Sequence, residues 1–104
     1  MKNIIKETEA IAYGYLKEFG FKDEQITPLV TMGKRDLNKE LSKLKDLLAD
    51  DVVVIDDVNN VLHALKGLLF QLGNHALADQ LNEIRSQLDT KVALKEISEV
   101  LFDA

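Results

Sequence analysis

Two histidines and no cysteine limit the nucleophilic chemistry open to this chain. Without cysteine, disulfides and thiolate metal sites are excluded. His63 and His75 stand twelve residues apart across a helix break, and no carboxylate cluster completes a coordination set, so no metal site is expected between them. His75 reads as a first-turn surface residue. His63 has more suggestive neighbours: Asn59 and Asn60 precede it, and Lys66, Gly67 and Phe70 follow. A neutral imidazole can carry a phosphoryl group covalently as a nucleophile. A lysine ammonium is a mobile point charge suited to phosphate oxygens. Glycine inside a helix costs about 1 kcal/mol relative to alanine, and here it leaves the space beside the ring empty for a bulky partner. Phe70 with the two asparagines offers an apolar contact surrounded by polar groups. Taken singly, each has a plainer explanation: a solvated histidine, a glycine placed by packing, a surface lysine, an ordinary exposed aromatic. Their grouping on one helical face is what points to chemistry.

Five apolar-periodic segments position these residues. The first spans about residues 3–19, with Ile4, Ile5, Ile11, Ala12, Leu16 and Phe19 at helical spacing and Gly20 as a stop. A connector over 21–26 leads to Thr27-Pro28, a cap followed by proline at the first helical position. The second helix runs to about Ala49 on a stripe of Leu37, Leu41, Leu44 and Leu48, with Lys34, Lys39, Lys43 and Lys45 read as solvated surface. The apolar run 52–55 has strand propensity but no partner strand, and reads as a connector or the opening turn of a third helix reaching about Leu72. On a wheel of that helix, Val58, Val61, Leu62, Leu65, Leu68, Leu69 and Leu72 share one arc, and His63 falls roughly 160° from its centre, facing solvent. Gly73-Asn74 ends the third helix and caps a fourth over 75–88; Asp89-Thr90 starts a fifth, with Ala93, Ile97, Val100 and Leu101 inward. Short links favour antiparallel neighbours. The expected fold is all-α: an antiparallel up-and-down four-helix bundle with an additional N-terminal helix, a single domain over residues 1–104.

The segment His63-Ala64-Leu65-Lys66-Gly67, followed by Leu72-Gly73 and Leu77, resembles the H-x-L-K-G-x-x-x-x-L-G signature of histidine-phosphotransfer domains. Chain length, helix count and the motif's place in the third helix agree, so the resemblance covers essentially the whole chain. It implies that His63 accepts phosphoryl through Nε2, that Lys66 assists the phosphoryl group and that Gly67 clears space for a receiver domain. Leu65, Leu72, Gly73 and Leu77 are then structural. Two positions depart from the pattern. Leu68 and Leu69 replace the small or hydroxyl residues common after the lysine-glycine pair. Arg85 stands where the family often places a glutamine or glutamate that orients the histidine ring, and a guanidinium cannot accept a hydrogen bond. That role is left to Asn82 or another group.

Composition bounds the rest. Hydrophobic residues make up 46% and charged residues 30%, the balance of a globular domain rather than a disordered one. A net charge of -5 argues against a nucleic-acid partner. No apolar run approaches the ~20 residues that cross a bilayer, and the N-terminal MKNIIKETEA turns acidic too early for a signal peptide, which together point to the cytoplasm without a membrane partner. No glycine-rich nucleotide loop or kinase signature is present, so the expectation is a phosphoryl carrier in two-component signalling rather than an enzyme. No cofactor is expected on this chain; Mg²⁺ and the phosphorylated aspartate belong to partner response-regulator receiver domains, fed by a histidine kinase or hybrid kinase. Two alternatives are a phosphotransfer module cut from a larger histidine kinase, and a non-catalytic helical adaptor.

Overall fold

The computed structural model describes residues 3–88 and 91–102. It contains α1 (Ile4–Glu18), α2 (Asp23–Ala49), α3 (Ile55–Gln71), α4 (His75–Arg85) and α5 (Lys91–Leu101), with no strand among the described residues. Asp89-Thr90, the expected start of the fifth helix, lies outside them. Each helix packs chiefly on the next in the chain. The extents are 45 × 24 × 21 Å. The long dimension is close to the length of α2, whose 27 residues span about 40 Å at 1.5 Å per residue. No described helix is long and apolar enough to cross a membrane.

Apolar residues three and four apart on each helix meet in one core. Leu37 and Leu44 of α2, Val58, Leu62, Leu65 and Leu69 of α3, Leu81 of α4 and Ile97 of α5 are buried there. The run at 52–54 is a connector, and Ile55 opens α3. Gly20 and Gly73 end α1 and α3 in the left-handed conformation, at φ +89° and +86°. Both ends close with paired reverse-turn bonds. After α3, the Asn74 amide donates to the Leu69 carbonyl at 2.8 Å and that of Gly73 to Phe70 at 3.1 Å. The Asn74 side chain then caps α4 by accepting from the Leu77 amide and donates its own Nδ2 to Thr8 Oγ1 at 3.0 Å.

Four local expectations are corrected. α2 begins at Asp23, a turn before Thr27-Pro28, so Pro28 lies inside the helix. The Lys22 amide donates to Gln25 Oε1 at 2.9 Å, Asp23 and Glu24 favour the positive helix end, and the Thr27 hydroxyl donates back to the Asp23 carbonyl instead of capping. The inward face of α1 is Ile4, Thr8 and Ala12, whereas Ile11 and Phe19 are exposed. The Asn74 bond is what makes burial of the Thr8 hydroxyl tolerable. α4 stops at Arg85 in a tightened turn around Ser86, although Leu88 stays buried. His75 is half-buried: Phe70 stacks on it at 4.4 Å between ring centroids, and Tyr15 meets it edge-on at 5.3 Å. Its Nε2 is shut from solvent with no hydrogen-bond partner among the described residues.

Candidate functional site around His63

α3 forms because Asp56 and Asp57 suit its first turn and its leucines lie on one stripe. That stripe turns the opposite face outward. His63, Asn60, Gly67 and Phe70 are all exposed there, while Asn59 and Lys66 are half-buried on its shoulder. A Cβ added at Gly67 meets nothing within 4 Å, so the space beside the imidazole is open and the helix itself does not require glycine.

The shoulder toward α4 carries two side-chain bonds. Lys66 Nζ donates to Asn82 Oδ1 at 3.5 Å, a long contact that leaves the ammonium mobile. Arg85 Nε donates to Asn59 Oδ1 at 2.9 Å in a partly buried setting. Asn59 and Lys66 flank His63 along α3, about one helical turn before and after it. Asn82 reaches the lysine, not the histidine, and no acceptor from α4 bonds the imidazole among the described residues.

The shoulder toward α2 is a groove of about 430 Å³ lined by Asp36, Lys39 and Glu40 of α2 and by His63, Ala64, Gly67, Leu68 and Gln71 of α3. Glu40 pairs with Lys43 at 3.4 Å. Asp36, Leu68 and Gln71 also border a smaller apolar hollow of about 220 Å³ that includes Leu16, Leu29, Met32 and Leu72. Leu29 and Met32 are exposed, so an apolar surface lies next to the histidine groove.

The expected site residues are thus divided. His63 and Gly67 share the groove; Lys66 and Asn59 face α4; Asn60 lies apart in a separate hollow with Lys43, Asp46, Leu47, Asp57 and Val61. Phe70 is 53% exposed but is tied to His75 on one face, so it is part of an aromatic cluster as well as a surface contact. From the sequence Lys39 reads as solvated surface, and Asp36, Leu29 and Met32 are not singled out. Asp36, Lys39 and Glu40 sit at i, i+3 and i+4 on one side of α2, but only the packing of α2 on α3 aligns that side with His63. Among the described residues no group of three or more His, Asp or Glu side chains is placed to hold a metal ion.

The arrangement presents an accessible imidazole with a lysine at its side, open space above it and a mixed polar-apolar groove along it. No family model, curated protein or solved structure matches this chain.

Proposed function

We propose that the chain is a phosphorelay carrier of the histidine-phosphotransfer type, accepting phosphoryl on His63 from the aspartyl phosphate of a receiver domain and passing it to another. The observation that carries this reading is the combination on α3 of an exposed His63, an unobstructed Gly67 and an adjacent Lys66 within the H-x-L-K-G pattern. In this reading α2–α5 form the antiparallel up-and-down bundle, and α1 is the additional N-terminal helix. The contacts between consecutive helices support that topology.

His63 Nε2 attacks the aspartyl phosphate as the acyl phosphate P–O bond breaks and the aspartate carboxylate leaves. Such transfer is chiefly a matter of positioning and charge neutralisation. The receiver contributes Mg²⁺ and the acidic pocket; this chain contributes the imidazole, the Lys66 charge and a face the receiver can approach. Leu29, Met32 and the exposed side of Phe70 supply apolar contact for docking. The setting is the cytoplasm, where receivers and kinases meet.

The test is transfer from a panel of phosphorylated receiver domains. The unsubstituted chain takes the label and returns it to a second receiver; His63→Gln takes none while melting at an unchanged temperature. Equal labelling of the two proteins contradicts the reading.

A further inference from the structure

We infer that Arg85, pinned to Asn59 beside His63, is a phosphoryl-binding guanidinium that acts with Lys66 to prolong the life of the phosphohistidine. The inference rests on the phosphorelay reading and adds a residue that the motif does not supply.

Arg85 has no acidic partner among the described residues. It is nevertheless half-buried, in the last turn of α4. Its described side-chain partner is the neutral Asn59 Oδ1, reached through Nε. Guanidinium has five N–H donors in a planar fork, so the Nη groups remain available for an anion. Asn59 precedes His63 by one turn on α3, so the anchored fork lies about one helical turn along α3 from the histidine, on the shoulder that faces α4. Lys66, one turn beyond His63 and in long contact with Asn82, supplies the second cation.

Charge then decides the effect. A phosphorylated imidazole adds anionic oxygens where the free ring has none, and hydrogen bonds to a charged group are roughly twice as strong as neutral ones. A loose transition state approaches metaphosphate, whose three oxygens share one negative charge where those of a phosphoryl dianion share two. Guanidinium bonds to those oxygens therefore favour the phosphorylated ground state over the transition state for hydrolysis. A glutamine at this position orients the ring; an arginine holds what the ring carries. Arg85 also interacts favourably with the negative end of α4 and bridges two helices, which is the purely structural account to be separated.

The experiment phosphorylates the full chain with phosphoramidate, in which His63 Nε2 forms the new N–P bond as the reagent's P–N bond breaks and ammonia leaves. Label is mapped to His63 by mass spectrometry, and its decay at neutral pH is followed by ³¹P NMR. Arg85→Ala and Arg85→Gln shorten the phosphohistidine half-life about tenfold, the loss of roughly one charge-assisted hydrogen bond. Arg85→Lys restores most of it, and Asn59→Ala, which frees the fork, gives an intermediate value. Arg85→Gln keeps a side-chain donor for Asn59, so it serves if Arg85→Ala folds poorly. If His63 is labelled and all variants decay at the unsubstituted rate while only melting temperatures move, Arg85 is a helix bridge and the inference fails alone. If His63 takes no label, the phosphorelay reading fails with it.

Discussion

Lys66 and Phe70 lie on the same face of α3 but act through different physics. Among the described residues Lys66 is anchored only by a 3.5 Å contact to Asn82, so in the phosphorelay reading its ammonium is free to follow the phosphoryl group. Lys66→Ala slows transfer by about 10- to 100-fold without abolishing it, the size of a lost contact that holds the phosphoryl group in line. Stopped-flow transfer from a phosphorylated receiver measures this, and an unchanged rate assigns Lys66 to ordinary surface. Phe70 stacks on His75, which also meets Tyr15. Phe70→Ala therefore weakens receiver binding by about 1–2 kcal/mol and also lowers stability by about 1 kcal/mol. Calorimetric titration and thermal melts separate the two effects; loss of stability alone would make Phe70 a structural residue. The exposure of His63 was legible because a wheel fixes which way a residue faces on its own helix. Its neighbours from α2 and α4 were not. Lys39 and the Asn59–Arg85 bond depend on the rotation and register of one helix against another, which periodicity within a helix does not encode.

Glycines make the opposite case at the scale of the helix. Gly67 occupies a regular, exposed helical position with open space around it. Gly67→Gln raises stability by up to ~1 kcal/mol through helix propensity, while transfer collapses because the new side chain meets the receiver. Denaturant titration beside a transfer assay checks the pair, and a variant that transfers normally moves the docking face elsewhere. Gly73 sits at φ +86°, and an added Cβ would run into the Tyr15 ring. Gly73→Ala costs about 2–4 kcal/mol, combining left-handed strain with overpacking, and equilibrium unfolding measures it. An unchanged unfolding midpoint would refute the predicted clash. Helix ends were readable where glycine and asparagine carry the stop, as at Gly73-Asn74. They were misread at Thr27-Pro28, because the local cap signal there competes with the reciprocal Lys22–Gln25 turn and the acidic residues ahead of it.

Across the whole molecule, core and site are largely separate. The buried leucines of α2–α4 hold the helices from within, while His63, Gly67 and the α2 groove lie outside that core. Substitutions at the crest of α3 can therefore be tested in a folded protein. The helical class was legible from spacing alone. The placement of α1 was not, since its inward face includes Thr8, a polar residue whose burial depends on Asn74 from the far side of the chain. The central claim is that a phosphoryl group resides on His63 Nε2 in transit between receivers. The most direct measurement transfers phosphoryl from a phosphorylated receiver to the full ¹⁵N-labelled chain, locates it by ³¹P and ¹⁵N NMR, then adds a second receiver. A signal on His63 Nε2 that disappears on that addition is the predicted result; label on another residue, or none from any receiver, contradicts it.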